Sequence, residues 1–149
     1  MKRILVADDG SETALSAVEI AAELAAKTGA ELIALAVADP DRVRPADIIT
    51  LARSENLGDA EALEILAGAS TDYLDRCREI ATSAGVTRFR EARRAGSDAA
   101  LEITDYARAN DVDLIVVGSR GRGWLPGLVL GSVSQKLATH APCSVLIAR

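Results

Sequence analysis

Five short strand-like runs alternate along the chain with longer stretches of helical periodicity. The runs are RILVA (3–7), ELIALAVAD (31–39), VTRFREARR (86–94), DLIVVG (113–118) and CSVLIA (143–148). Continuous apolar runs such as RILVA are typical of strands buried on both faces of a parallel sheet. The alternation predicts right-handed crossovers and an α/β fold, a doubly wound five-stranded parallel sheet with helices on both faces.

Local signals predict where several of these elements begin and end. Asp9 and Ser11 are both N-cap residue types ahead of the first helical stretch, and Gly29 supplies a stop after it. Ser97 is the predicted N-cap of a helix that runs to about residue 110. Gly68 interrupts the helical spacing of residues 59–84, so two shorter helices are an alternative to one. VTRFREARR alternates in polarity, which predicts an edge strand.

Composition narrows the class of protein. The 149 residues are a one-domain length, so residues 1–149 are expected to form a single domain, and 49% of them are hydrophobic. The net charge of −5 argues against a nucleic-acid partner. Cys77 and Cys143 lack metal-ligand spacing and are expected to be reduced. No signal-peptide core or membrane-spanning run is present in the sequence, so the expected location is the cytoplasm and no membrane partner is predicted.

The ligand crevice of such a sheet lies beyond the carboxyl ends of its strands, where the strand order reverses. Three segments meet there: ADDG after the first strand, VADP after the second, and GSRGRGWLPGLVLGS (118–132) after the fourth. The last of these holds five of the eleven glycines. It has two interpretations, a phosphate-binding loop or a plain turn between a strand and a helix. Residues 39–57 are less regular; ADIITLARSE within them is a candidate short helix, and the role of this segment stays open.

A phosphate site on this fold needs backbone N–H groups aimed at one spot with no Cβ in the way. Gly118 and Gly121 lie where the chain turns over the strand end, and Gly131 lies where the last helix begins. Ser132 could cap that helix or offer its hydroxyl to a phosphate, and Ser134 in the first turn could do the same. The loop matches neither the Walker A motif nor the Rossmann glycine fingerprint.

The spacing G-x2-G-x9-G-S, at Gly118, Gly121, Gly131 and Ser132, resembles the nucleotide-binding signature of the universal stress protein family. At about 7% glycine usage it would arise by chance at a given start on the order of once in 10⁴ to 10⁵. RILVADDGSETALSAVEIAAELA resembles the opening of that family, and DLIVVGSRGRG and GSVSQKLATHAPCSVLIA resemble its ending. The resemblance implies a Rossmann-like fold akin to the adenine nucleotide alpha hydrolases. It also places the chain with the ATP-binding members.

The resemblance implies a set of nucleotide-binding residues. Positions beside the triphosphate and ribose are matched by the loop and helix start, positions beside the nucleotide by the end of the first strand, and the adenine contact by Val37. The residues are Ala7, Asp8, Asp9, Val37, Val117, Gly118, Arg120, Gly121, Gly131, Ser132, Val133 and Ser134. Asp9 has the alternative role of a helix cap, and Asp8 that of a solvent charge. His140 lies near a helix end, where complementing the helix dipole is favoured over a role as base.

The resemblance further implies a small regulatory protein of the stress response that binds ATP, with AMP or ADP as alternatives, and Mg²⁺ or Mn²⁺ through the phosphates. Phosphoryl transfer needs a base, and none is evident in the sequence, so no catalytic residue is assigned. A slow ATPase or phosphotransferase is the alternative, and a ligand-free dimerising scaffold is a third. We expect a homodimer through the final strand, from Cys143 to Ala148, and an unidentified regulatory protein partner. Ser144 departs from the proline that is common there in the family, which leaves the dimer geometry open.

Overall fold

The computed structural model describes residues 1–8, 12–39, 41, 43, 45–66, 71–119 and 130–149. Five parallel strands form one sheet in the order β3-β2-β1-β4-β5. They are β1 (Arg3–Asp8), β2 (Glu31–Ala38), β3 (Phe89–Ala95), β4 (Leu114–Gly118) and β5 (Ser144–Ala148). The prediction of a five-stranded parallel sheet is confirmed, with VTRFREARR at one edge and CSVLIA at the other.

Six helices connect the strands within the described ranges. They are α1 (Glu12–Thr28), α2 (Pro45–Glu55), α3 (Asp59–Leu66), α4 (Thr71–Ser83), α5 (Ala99–Ala109) and α6 (Ser132–His140). The ADIITLARSE helix is confirmed as part of α2. Of the two alternatives for residues 59–84, two helices rather than one are present. Every helix in the described ranges is too short or too polar to cross a bilayer.

Alternate strand residues face two separate apolar cores. Ile4 and Val6 of β1 pack with α1 and α4 on one face, and Leu5 and Ala7 pack with α5 and α6 on the other. Both faces of β1 are fully covered, and Ile4, Leu5 and Val6 have no exposed surface. This two-sided burial explains why the central strands read as continuous apolar runs.

The chain reverses direction across the sheet at β1. From β1 it proceeds through α1 to β2 and then to β3, and α5 returns it to β4 on the other side of β1. β1 and β4 are therefore adjacent in the sheet, but the chain continues from β1 toward one edge of the sheet and from β4 toward the other. Their carboxyl ends form the topological switch point, where ligands of such sheets bind.

Two glycines end helices in the left-handed region that favours glycine. Gly29 follows α1 with φ +68°, and Gly85 follows α4 with φ +81°. The predicted stop at Gly29 is confirmed.

At the C-terminal end of α6, His140 is the last helical residue, and its Nδ1 lies 3.1 Å from the Lys136 carbonyl oxygen, as expected for a residue at the negative end of the helix dipole.

The prediction that Ser97 caps α5 is wrong. The N-cap is Asp98, whose backbone is extended and whose carboxylate accepts hydrogen bonds from the N–H groups of Ala100 (3.1 Å) and Leu101 (3.3 Å). Both Ser and Asp are good caps, so two adjacent candidates could be separated only by the position at which the helix begins. Asp98 also accepts a hydrogen bond from Lys136 Nζ at 2.7 Å, which links the start of α5 to α6. These hydrogen bonds, first that of Lys136 and then that of Leu101, lower the pKa of Asp98.

Replacing Asp98 with alanine should lower the free energy of unfolding by about 1–2 kcal/mol, chiefly through loss of the cap. The ion pair with Lys136 adds little to this because both side chains are largely solvent-exposed. Urea denaturation followed by circular dichroism measures the change. Ser97→Ala is the matched control, and it should leave the unfolding midpoint unchanged.

The difference in unfolding free energy between wild type and Asp98→Ala should depend on pH in a defined direction. Because the pKa of Asp98 is lower in the folded state, its stabilisation is present above the ordinary aspartate pKa of about 3.9 and is lost as the pH falls through the folded value. The stability gap between wild type and Asp98→Ala should narrow under those acidic conditions. A gap that stays constant from neutral to acidic pH, or a larger loss in Ser97→Ala, would contradict the assignment of the cap.

Both cysteines are free thiols, as predicted. Cys77 is buried in the α1–α4 core, and Cys143 packs half-buried against the α5–α6 core. Burial, followed by the nearby carboxylate of Asp113, raises the pKa of the Cys143 thiol. A thiol with a raised pKa carries less thiolate and is less reactive, which fits a packing role.

Candidate functional site

The carboxyl ends of three adjacent strands form the floor of the candidate site. Ala7, Val37 and Val117 are each the penultimate residue of their strand, and Ala7 pairs directly with Val117 across the switch point. All three belong to the apolar core on the α5–α6 face. Ala7 and Val117 are buried, whereas Val37 is only half-buried. The structure thus brings together predicted site residues from distant parts of the sequence into one apolar ledge.

Three hydrogen bonds hold the start of α6 against the ends of β4 and β5. The Ser134 hydroxyl donates to the Gly118 carbonyl oxygen (2.6 Å), and the Gly131 N–H donates to the Ser119 carbonyl oxygen (2.7 Å). The Ser119 N–H in turn donates to the Ala148 carbonyl oxygen (2.7 Å). Ser119 and Ser134 are both buried. The first turn of α6 is therefore fixed in position at the switch point.

The N-terminus of α6 has no side-chain cap. Its N-cap is Gly131, with φ −68° and ψ 158°, and among the described residues no side chain accepts from the first turn. The first helical hydrogen bond runs from the Gln135 N–H to the Gly131 carbonyl oxygen (3.0 Å). The N–H groups of Ser132, Val133 and Ser134 therefore have neither a partner within the helix nor a capping side chain. These donors are of the kind that bind a phosphate or another anion at a helix start.

The charge distribution around this helix start is also suited to an anion. The first turns of α2, α3 and α5 each contain an acidic side chain, but that of α6 contains none. The positive end of the α6 dipole is thus left without a carboxylate in its own first turn. The backbone of Gly131 is extended, a conformation that any residue adopts, so its glycine is not required by a turn. Gly131 adds no side chain at the cap position, and the next residue, Ser132, is exposed.

The remaining predicted site residues fall into two groups. Asp8 is the last residue of β1, Gly118 is the buried last residue of β4, and Val133 packs half-buried on the α5–α6 core. Asp9, Arg120 and Gly121 lie outside the described residues, as does most of the GSRGRGWLPGLVLGS segment. The N-cap alternatives at Asp9 and Ser11 also lie outside them.

Two of the alternatives for the serines are corrected by the structure. Ser132 is the first residue of α6 and not its cap, because Gly131 occupies the cap position. Ser134 does not cap the helix either, since its buried hydroxyl donates across to Gly118. The group of Ser134 that could bind a ligand is therefore its backbone N–H. Its hydroxyl, bonded to Gly118, holds α6 in position. Ser132 remains exposed at the start of the helix.

Sequence reasoning missed two residues that build this site. Ser119 supplies both its N–H and its carbonyl to the junction of β4, β5 and α6, and because these are backbone groups no side-chain pattern could have revealed them. Asp98 connects α5 to α6 through Lys136, and the signal for it in the sequence was its residue type, a good N-cap at the start of a helical stretch. Within the described ranges, no three His, Cys, Asp or Glu side chains converge to hold a metal ion.

The strand order defines a doubly wound, Rossmann-like α/β protein, a class that binds ligands at the carboxyl edge of the sheet. The model of the Universal stress protein family matches residues 1–149. The chain therefore belongs to the universal stress protein family.

Individual relatives agree with this assignment. Universal stress protein YxiE of Bacillus subtilis is 33% identical over 147 residues, which cover 99% of this chain and 98% of the relative. Among solved structures, universal stress protein UspA from Lactobacillus plantarum superposes with a TM-score of 0.81 at 26% identity, covering 99% of this chain and 97% of that one. A universal stress protein solved in complex with cAMP superposes with a TM-score of 0.72 at 28% identity, with coverage of 99% and 97%.

Proposed function

We propose that this protein is a nucleotide-binding regulatory protein of the stress response that binds ATP at the switch point between β1 and β4. The observation that carries the proposal is the uncapped start of α6, fixed beside the ends of these strands. Its three N–H groups at Ser132, Val133 and Ser134 have no partner among the described residues and are suited to phosphate oxygens. A structural relative that binds cAMP, at 28% identity, supports an adenine nucleotide as the ligand class.

The described residues suggest which part of the nucleotide each segment would contact. The first turn of α6 would bind phosphate, because its N–H groups and its dipole favour negative charge. The apolar ledge of Ala7, Val37 and Val117 would contact the base and sugar, since such pockets combine apolar walls with a few polar groups. Gly121 and Arg120 would complete the phosphate site, as the family signature implies.

A divalent cation, Mg²⁺ or Mn²⁺, would bind chiefly through the phosphate oxygens, because the described residues provide no preformed cluster of ligands. The chemistry that such a cation supplies is neutralisation of phosphate charge. We assign a binding and regulatory role to the protein and place its action in the cytoplasm. The alternative is an ATPase, and a dedicated ATPase would release phosphate at rates near 1 s⁻¹ or above.

The proposed active form is a homodimer that pairs through β5. Its side chains from Ser144 to Ala148 carry no charge, whereas the opposite edge strand, β3, carries Arg90, Glu91, Arg93 and Arg94. Charged side chains protect an edge from pairing with another chain, and an uncharged apolar edge lacks that protection. The contrast between the two edges supports β5 as the dimer edge.

Isothermal titration of nucleotide-free protein with ATP, ADP and AMP tests the proposal. We expect saturable binding of ATP with a dissociation constant in the micromolar range, where 1 μM corresponds to about −8 kcal/mol. Absence of binding heat with all three nucleotides would refute it. Phosphate release faster than about one per minute would favour the enzyme alternative over a binding role, because useful enzymes turn over near 1 s⁻¹.

A further inference from the structure

An open apolar groove lies between α2 and α3, and none of the predicted nucleotide-binding residues lines it. It has a volume of about 350 Å³ and is lined by Pro45, Ile48, Ile49, Asp59, Ala60 and Leu63. On α2 these residues follow the spacing i, i+3, i+4, and on α3 they lie at i, i+1 and i+4, so one face of α2 and one face of α3 form its walls. Five of the six lining residues are apolar, and Asp59 is the only charged one.

The α2–α3 hairpin leaves an unusual amount of apolar surface exposed. The described part of the chain has five exposed large apolar side chains, and Ile49, Ile65 and Leu66 on this hairpin are three of them. The two helices pack on each other more than on any other element. Ala52 of α2 and Ala62 of α3 are buried, and Ile49 keeps 48% of its surface exposed. Contiguous exposed apolar surface is a mark of interaction sites.

The charge of the hairpin identifies what would fit the groove. Residues 45–66 contain five carboxylates, at Asp47, Glu55, Asp59, Glu61 and Glu64, and one basic side chain, Arg53, which gives −4 of the chain's −5. The preceding residues 39–44 add two aspartates and two arginines and leave that balance unchanged. The carboxylate of Asp59 in the groove and the net negative charge of the hairpin attract cations and repel nucleic acid and anionic membrane surfaces.

We propose that this groove is a docking site for a basic amphipathic helix of a partner protein. Apolar side chains on one face of that helix would enter the groove, and its flanking lysines or arginines would face Asp59 and the other carboxylates of the hairpin. This is the helix-in-groove mode of recognition, in which anchors repeat at i, i+3, i+4 and i+7. The proposal depends on the hairpin alone and stands independently of nucleotide binding.

Fluorescence anisotropy with a labelled synthetic peptide tests the proposal on the full chain. The probe is a helical peptide of about 15 residues with leucines at i, i+3, i+4 and i+7 and lysines on both flanks. We expect a dissociation constant between about 1 and 100 μM, as for a weak transient interface. The same peptide with glutamates in place of the lysines should bind at least about tenfold more weakly, because the hairpin is acidic.

Ile49→Glu and Leu101→Glu form a matched pair of variants. Both residues are exposed leucine-sized side chains, at 48% and 55%, and both substitutions add one negative charge, but only Ile49 lines the groove. We expect Ile49→Glu to weaken binding of the lysine peptide by about tenfold or more, because a carboxylate in an apolar groove is unfavourable. Leu101→Glu should leave binding unchanged. Non-specific attraction to an acidic protein predicts the opposite, equal or tighter binding in both variants, and would overturn the proposal.

Two further outcomes are decisive. Ile49→Ala removes apolar surface without adding charge; with unchanged circular dichroism, it should weaken binding, and unchanged binding would overturn the proposal. Sedimentation of wild type and Ile49→Glu without peptide examines a second copy of the chain as the occupant. If Ile49→Glu alone lowers the oligomeric state, the groove is a contact between copies and the docking proposal is wrong.

Discussion

Replacing Gly131 with aspartate is expected to abolish nucleotide binding while the protein keeps its fold. The new carboxylate would accept hydrogen bonds from the first turn of α6 and place a negative charge where a phosphate should bind. We expect the affinity for ATP to fall at least about 100-fold, about 2.8 kcal/mol. The free energy of unfolding should stay the same or rise by a few tenths of a kcal/mol, because aspartate is a better N-cap than glycine.

Gly58→Asp is the matched control for this substitution. Gly58 is also a glycine at a helix start, since its carbonyl oxygen accepts the Ala62 N–H of α3 at 2.9 Å, and a Cβ added there meets no other atom within 4 Å. This variant should be equally stable and should bind ATP as wild type does. Titration calorimetry and urea denaturation of both variants separate a loss of the ligand site from a loss of folding.

A second variant removes a single donor from the same site. Ser132 is the first residue of α6, where proline is well tolerated because its missing N–H has no partner in the helix. Ser132→Pro should therefore fold normally and lose about tenfold or more in ATP affinity, the effect of one hydrogen bond to a charged group. If Gly131→Asp and Ser132→Pro both bind ATP like wild type, the phosphate site is not at α6.

If the protein forms the proposed homodimer through β5, replacing Val145 with proline is expected to convert it into a monomer. The Ala148 carbonyl accepts from Ser119 on the β4 side, so the alternate residues Val145 and Ile147 direct their backbone groups to the free edge. Proline at position 145 removes an outward N–H without breaking the ladder to β4. We expect the dimer dissociation constant to rise at least about 100-fold, about 2.8 kcal/mol.

Sedimentation velocity at tens of micromolar protein measures this change. Val145→Thr is the control, because it keeps the N–H and a β-branched side chain and should leave the dimer intact. A wild-type protein that is monomeric at these concentrations would count against dimerisation. A Val145→Pro protein that sediments as wild type would show that the copies associate through another surface, with the α2–α3 groove as the next to examine.

The sequence predicted the sheet well because parallel strands that are buried on both faces are apolar at nearly every position. RILVA and DLIVVG are apolar at every position that the two cores cover, whereas VTRFREARR is more polar because β3, at the edge of the described sheet, is only partly buried. The prediction failed at Ser97 and at the capping alternative for Ser132, where a suitable side chain lies one residue from the true cap. Capping depends on where the backbone leaves the helical conformation, and adjacent residues of similar propensity do not reveal that point.

By itself the sequence determined the α/β class, the parallel sheet and the glycine-serine spacing that relates the chain to its family. These depend on hydrophobic periodicity and residue type, which are local properties. Only the tertiary structure showed that Ser134 bonds to Gly118 and that Ser119 joins β4, β5 and α6. Only it showed that the hairpin of α2 and α3 forms a groove. Such features arise where distant segments meet, and backbone hydrogen bonds between them leave no pattern in the side chains.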